Sequence, residues 1–456
     1  MTTADSELAA IPFEKTERVQ WFGHPRGLAT LFFTEMWERF SYYGMRALLI
    51  LYMVAPLAGG GLAFSTPHAA LIYGWYTMLV YAMCIPGGFV ADRIIGQYNA
   101  VLIGGIVIAA GHFSMAVPRI EFFFLGLGLI IIGTGLLKPN VSSMVGMLYS
   151  RSDSRRDAGF SLYYMGINIG ATSAPIVCGW LGQRVNWHLG FAAAGVGMVL
   201  GLIQYVLGRR HLDPARAQIA LRKTEKKERT AVAPLTPQDW RNMGLIGILF
   251  VFALIFWSAF EQAGSTLTLF ADRYTRTSIF GFSFPSSWFQ SEQPLFVITL
   301  APVFALLWVR LGKREPSGLL KFAIGLFLVG LGFLLLAPAA HIAQSSGVKV
   351  SPMWLTGLYL LHTLGELCLS PVGLSLVTKL APKRLLGFMM GVWFLAASFG
   401  NFIAGWVAGF SDRVPLSRLF TTVFAVAACG GVIALVLSRG RLSNAQTTET
   451  ESSESV

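Results

Sequence analysis

The chain has 456 residues, of which 54% are hydrophobic and 13% charged, with a mean hydropathy of +0.60 and a formal net charge of +12. A soluble domain carries about 25% charged residues, so a soluble enzyme or binding module is excluded in favour of a polytopic membrane protein. The basic surplus is not a nucleic-acid footprint: most of the 35 Lys and Arg fall in the termini and in alternate connections between apolar segments, which predicts both termini in the cytoplasm.

Residues 1–27 are polar and mixed in charge, without an apolar h-region, and read as a cytoplasmic segment rather than a cleavable signal. Apolar stretches of about 20 residues then recur with short connections. They predict twelve spans, at 28–55, 69–91, 97–117, 121–148, 158–182, 188–207, 241–271, 287–310, 317–340, 352–380, 386–410 and 417–438. The connection 208–240, with a basic run from Arg209 to Arg229, reads as a cytoplasmic linker between the halves 28–207 and 241–438. Residues 439–456, rich in Ser, Thr and Glu, read as a cytoplasmic tail. Two six-span halves around a central site are the logic of major facilitator transporters. The expected fold is therefore an all-α integral membrane protein with twelve transmembrane helices in two six-helix bundles. Gly88-Phe-Val-Ala-Asp92-Arg93 after span two resembles the GxxxD(R/K) motif of that superfamily, and Gly312-Lys313-Arg314 holds the matching place after span eight.

Span one contains Glu35, Glu38, Arg39 and Arg46. Each charge costs roughly 2.5–3.5 kcal/mol at the centre of an inserted helix, so such groups are kept for function by default. At about 100° per residue, these four and Tyr42 and Tyr43 fall within an arc of roughly 140°, which reads as the wall of a polar pathway. Three further charges lie deep: Lys138 in span four, Glu261 in span seven and Glu366 in span ten. The tally is four acids against three bases. If all were ionised, one acid would lack a partner, and binding a proton is its cheapest remedy in low dielectric. That arithmetic motivates proton coupling.

The deep charges also separate by half. Arg39, Arg46 and Lys138, with Glu35 and Glu38, belong to the first, whereas the second holds Glu261 and Glu366. A basic side and an acidic side suit a zwitterion, carboxylate toward Arg and Lys and ammonium toward Glu. Tyr42, Tyr43, Tyr81, Trp257 and Trp393 supply candidate walls, although for each the alternative is core or lipid packing. His362, one turn before Glu366, could pair with that acid but reads first as a packed histidine, and Cys84, Cys178, Cys368 and Cys429 read as packed thiols within spans. Pro86, Pro139, Pro175, Pro294, Pro302 and Pro371 permit kinks inside spans. No metal-ligand set, nucleophile–base pair or phosphate loop appears in a sensible place, so neither an enzyme nor a cofactor is expected.

These residues resemble a family. Glu35-x-x-Glu38-Arg39-Phe40-x-Tyr42-Tyr43-Gly44 is similar to the ExxERFxYYG signature of the proton-dependent oligopeptide transporters, the POT or PTR family. Phe160-Ser-Leu-Tyr163-Tyr-Met-Gly-Ile167-Asn168-Ile-Gly170 is similar to its FSxxYxxINxG signature. Lys138-Pro139-Asn140, Trp257 with Glu261-Gln262, Gly365-Glu366 and Trp393 follow in the family order. The resemblance implies that Glu35, Glu38 and Arg39 form the proton-coupling motif, with Lys138 able to pair with the acids. It implies that Arg46 and Lys138 face the substrate carboxylate, that Tyr42, Tyr43, Tyr81 and Asn168 contact the peptide, and that Glu366 receives its amino terminus, with Ser370 nearby. Glu261 is implied in a gate and in coupling, with Arg46 as its partner, and Trp257 and Trp393 shape side-chain pockets.

Two departures stand out. Gln293 precedes Pro294 in span eight where the family usually has Asn; the resemblance implies a substrate contact there to the peptide backbone, with the amide moved by one methylene. The linker of roughly 33 residues is also too short for the two additional helices of many bacterial members, which need about 40. The expected activity is proton-coupled symport of di- and tripeptides into the cell by alternating access, by a monomer in the inner membrane among its lipids, with protons as the coupling ion. The rival is the same mechanism on another small solute: a modified amino acid, a peptidomimetic or a nitrate-like anion. The retained Lys138 and Glu366 favour the peptide.

Overall fold

The computed structural model describes residues 20–150, 153, 155–213, 215–217, 235–382 and 385–439. Most of the segment 1–27 and of the linker 208–240, and the tail beyond 439, lie outside the described residues. The chain divides into two compact units, Met1–Tyr52 with Leu79–Ala233, and Met53–Met78 with Pro234–Val456.

The first unit is built on α1 (Arg26–Val54), the end of α2 (Thr66–Ala82), α3 (Cys84–Val90), α4 (Gln97–Met115), α5 (Ile120–Met147), α6 (Arg156–Trp180) and α7 (Trp187–Leu207). The second takes the start of α2 together with α8 (Pro237–Phe260), α9 (Thr266–Tyr274), α10 (Glu292–Leu311), α11 (Gly318–Ser346), α12 (Met353–Leu380), α13 (Leu386–Ala408) and α14 (Leu416–Arg439). Two short antiparallel hairpins are the strand structure among the described residues. Trp21 of β1 (Gln20–Trp21) pairs with His24 of β2 (His24–Pro25), and Ile279 of β3 (Ser278–Ile279) pairs with Phe282 of β4 (Phe282–Ser283). Both turn through a Phe-Gly dipeptide with positive φ at both positions, Phe22-Gly23 and Phe280-Gly281, the conformation that matches strand twist in a two-residue turn.

Local signals explain where helices start and break. Thr236 and Asp239 form a reciprocal capping box and Pro237 occupies the first turn, so α8 begins before the expected 241. Span two is not one helix. Pro86 has no N–H and crowds the carbonyl four residues back, so α2 stops at Ala82 and the chain resumes as α3, finishing in a π turn over 91–95 that carries Asp92 and Arg93. Span seven is jointed at a 3₁₀ turn, Glu261–Gly264, and continues as α9.

Ten helical stretches among the described residues are long and apolar enough to cross a membrane. The long helices α1 and α6 fall outside that ten. They carry the charged and polar signatures, which lower their apolarity. The first unit packs α4 against α5 and α7, around Val101, Ile108, Leu137, Val141 and Met198. Gly104 and Gly133 face each other there; a Cβ on either would lie 2.6 Å from the other's carbonyl oxygen, so only glycine permits this approach. The second unit packs α11 against α12 and α14, and α8 against α13, around Phe256, Phe322, Phe333, Leu336, Leu358 and Phe420. The start of α2 joins this unit through Trp75, whose ring lies 4.9 Å from that of Phe402, and through Met78, whose carbonyl accepts from Ser398 at 2.8 Å. Of the thiols expected to be packed, Cys178 and Cys368 are buried and Cys84 is half-buried, whereas Cys429 is exposed, on the outward apolar face of α14 with Val426, Val432 and Ile433.

Candidate functional site

In the first unit, α1 and α6 come together at the two signatures. A Cβ at Gly170 would lie 2.2 Å from the Met36 carbonyl oxygen, so the last residue of the second signature is the one that lets α6 reach the backbone of α1. At that level Glu35, Glu38 and Arg39 are buried, at 2%, 0% and 3% exposure. Arg39 Nε lies 3.2 Å from Glu35 Oε1 and donates to Glu38. One guanidinium thus serves two carboxyl groups. Glu35 Oε2, Glu38 Oε1 and Arg39 Nη2 are shielded from solvent and find no hydrogen-bond partner among the described residues. The tyrosines follow the charges: Arg39 sits 5.3 Å from the Tyr42 ring and Arg46 5.7 Å from the Tyr43 ring.

Lys138 comes from α5, at Pro139 within the helix. Its ammonium lies 3.8 Å from the centre of the Tyr81 ring and in electrostatic range of Glu35 and Glu38. Lys138 and Tyr81 are therefore brought together, next to the acid pair. Asn168 is turned onto its own helix, donating to the Tyr164 carbonyl at 2.9 Å. Tyr163 was left without a role by the sequence; its hydroxyl reaches Glu35 and stands 3.4 Å from Ser142 Oγ. Its place in the second signature was the available signal.

At one end of this unit, beyond the spans, His24 Nδ1 lies 2.9 Å from the Tyr149 hydroxyl, while Arg155 donates to the Gly23 carbonyl at 3.2 Å and to Asp153 at 2.9 Å. Burial, with help from Arg155, holds the His24 imidazole below its ordinary range. Burial pushes the Tyr149 phenol up to about 12, and hydrogen bonding from Arg155 holds the Asp153 carboxyl low.

In the second unit, Gln293 Nε2 donates to Glu366 Oε2 at 2.6 Å. The longer amide thus reaches from α10 to the acid of α12. Thr363 Oγ1, one turn before Glu366, lies 3.5 Å from the Gln293 carbonyl on the same seam. Ser370 is half-buried one turn beyond. Trp257 packs edge-on against Phe256 and Phe260, at 5.4 and 5.3 Å, and Trp393 against Phe322 at 6.2 Å. Glu261 is buried at the α8–α9 joint. His362 is a packed histidine, stacked on Phe260 at 5.9 Å and tilted against Phe333 at 5.2 Å. Glu292 was missed. It lies inside the predicted span 287–310, where a carboxyl belonged in the tally of deep acids, and Thr356 Oγ1 donates to its Oε1 at 3.2 Å.

A model of the POT family matches residues 98–224 and 217–432. The chain belongs to the POT family. Among relatives it is similar to the uncharacterized transporter YclF of Bacillus subtilis, at 42% identity over 92% of this chain and 94% of the relative. It is also similar to a di-/tripeptide transporter of Lactococcus lactis subsp. cremoris, at 36% identity over 93% of this chain and 97% of the relative. Among solved structures, the crystal structure of peptide transporter POT in complex with sulfate is 39% identical, with a TM-score of 0.85 over 94% of this chain and 98% of that one. Membership gives this POT chain the major facilitator fold and makes it a multi-pass membrane protein.

Proposed function

We propose that this POT-family chain is a proton-coupled symporter of di- and tripeptides, carrying them into the cell by alternating access. The observation that carries the reading is the buried trio Glu35–Arg39–Glu38, in which two carboxyl groups share one guanidinium and each keeps an oxygen without a hydrogen-bond partner among the described residues. A second buried anion without its own cation is costly by several kcal/mol, and a proton removes that cost. The trio is therefore poised to load a proton when one side is acidic, and to release it when Lys138 or another cation moves in.

The substrate ends are assigned by charge. Arg46 and Lys138 take the carboxylate, with Tyr42, Tyr43, Tyr81 and Asn168 along the backbone. Glu366 takes the ammonium, for which it exchanges the amide hydrogen of Gln293. Trp257, Trp393 and Ser370 shape the side-chain space, and Glu261 couples the second unit to the cycle. One proton crossing about 100 mV carries about 2.3 kcal/mol, which supports roughly 50-fold accumulation of a neutral zwitterion. The chain needs no cofactor and no catalytic residue. It works as a monomer among the lipids of the inner membrane, both termini cytoplasmic, and has no nucleic-acid partner.

The test is peptide-competed uptake of a labelled dipeptide in proteoliposomes, with and without an imposed proton gradient. Accumulation above equilibrium that needs the gradient and is displaced by di- and tripeptides is expected. Gradient-driven uptake of another solute that peptides do not compete with would overturn the substrate assignment.

A further inference from the structure

Glu292 begins α10, adjacent to the residue that holds Glu366. Its Oε1 accepts from Thr356 Oγ1 at 3.2 Å. Its Oε2 is shielded from solvent and has no hydrogen-bond partner among the described residues. Thr356 stands on α12 ten residues before Glu366, about 15 Å along the helix. α10 and α12 are therefore tied at two levels, Glu292 on Thr356 and the Gln293 amide on Glu366, while Thr363 gives its hydroxyl hydrogen to the Tyr359 carbonyl at 2.8 Å and only stands beside the Gln293 carbonyl.

The charged surroundings of Glu292 are sparse. α10 packs chiefly on α12, on the 3₁₀ turn Ser286–Ser291 that precedes it and on the 3₁₀ turn Gly312–Arg314. The first turn, Ser-Ser-Trp-Phe-Gln-Ser, carries no titratable side chain, and the second lies at the far end of the helix. From α12, the titratable groups are Tyr359, His362, Glu366, Cys368 and Lys379. His362 is occupied between two phenylalanines and Lys379 lies at the opposite end of α12. No ion pair involves Glu292 among the described residues. The positive ends of α10 and α12 are the favourable field for an anion there. A first-turn dipole offsets only a fraction of the cost of a shielded carboxylate without a counter-ion.

Resting on the peptide-symport reading above, we propose that Glu292 is a proton-binding carboxyl of the second unit, additional to Glu35 and Glu38, whose neutral form keeps the α10–α12 seam closed on Glu366. The neutral acid keeps the Thr356 hydrogen bond and leaves no charge on the shielded Oε2 of this half-buried side chain. Ionisation draws water or a cation to Oε2 and loosens the first turn of α10, and with it the amide that Gln293 offers to Glu366. Peptide affinity then falls as pH rises through this titration, independently of the α1 trio.

Infrared difference spectra of the full chain in nanodiscs, titrated across about pH 5 to 8 without peptide, test the proton site directly. A carboxyl carbonyl band that titrates in the wild type and is missing in Glu292→Gln is expected. Thr356→Val, which removes the one described donor to the carboxylate, should move that band to higher pH. Identical titrations in the wild type and Glu292→Gln overturn the proposal. Binding of the dipeptide Ala-Ala over the same range separates this from the transport reading. Glu292→Gln should keep its low-pH affinity, within about threefold, where the wild type loses about tenfold, a change worth about 1.4 kcal/mol. A pH profile unchanged by the substitution also counts against the proposal. A wild type that binds no dipeptide sinks the peptide reading, while the infrared result still decides Glu292.

Discussion

In the first unit Arg39 lies against both Glu35 and Glu38, with Lys138 in range of both; in the second, Glu366 receives an amide hydrogen from Gln293, and Glu292 a hydroxyl hydrogen from Thr356. A carboxylate tied to a guanidinium changes its proton content only when the cation finds another partner, so its protonation reports on rearrangement. A carboxyl whose described hydrogen bond comes from a neutral group can exchange that donor for an ammonium or a proton. The proposed function gives energy coupling to the first arrangement and recognition of the substrate amine to Glu366 in the second.

The sharpest way to break the contrast is to neutralise one acid in each unit. Glu35→Gln or Glu38→Gln should reduce gradient-driven accumulation to background while leaving peptide counterflow within about tenfold, because exchange needs binding but no net proton movement. Gradient-driven accumulation at wild-type level in both variants would remove coupling from the trio. Glu366→Gln should weaken peptides with a free amino terminus by about 2–5 kcal/mol, as truncation of a desolvated charge pair does, and N-acetylated peptides far less. Competition assays with matched pairs of peptides read this directly, and equal losses would mean that Glu366 is not the amine receptor.

Smaller changes sharpen the picture. Tyr81→Leu removes the ring under the Lys138 ammonium, a contact worth about 0.5–2 kcal/mol. Peptide affinity should fall by a few-fold to about thirtyfold, and Tyr81→Phe should restore most of it. The smallest expected effect lies outside the spans. His24 is held below its ordinary range, so the fold binds the neutral ring. Its contribution to stability is full above the unfolded-state value, near 6.5, and is lost as pH falls toward the folded value. Thermal unfolding should show a small loss between about pH 7 and pH 5 that Tyr149→Phe alters and His24→Gln abolishes; the same loss in His24→Gln would assign the acid sensitivity elsewhere.

Much of this was legible in the sequence, for a physical reason. Charge inside an apolar stretch is expensive, so Glu35, Glu38, Arg39 and Lys138 stood out, and helical spacing placed the first three on one face. Contacts between distant helices leave no such trace. Nothing in the spacing says that Gln293 reaches Glu366, 73 positions away, or that Tyr163 turns its hydroxyl to Glu35. Pro338, inside α11, was also passed over. Glu292, although inside the predicted span 287–310, sits in no signature that marks it, and its hydrogen bond to Thr356, 64 positions away, leaves no trace in the spacing. The membership of residues 53–78 in the second unit follows from packing of Gly74 and Trp75 on α13, which hydropathy alone cannot register.

The most direct test of the division of labour is a paired measurement in proteoliposomes: gradient-driven accumulation and counterflow of one labelled dipeptide, in Glu38→Gln and in Glu366→Gln. The account predicts that Glu38→Gln loses accumulation and retains counterflow. It predicts that Glu366→Gln loses both together at low peptide concentration and recovers both as peptide is raised. The opposite pattern, with accumulation intact in Glu38→Gln or abolished in Glu366→Gln at saturating peptide, would contradict it.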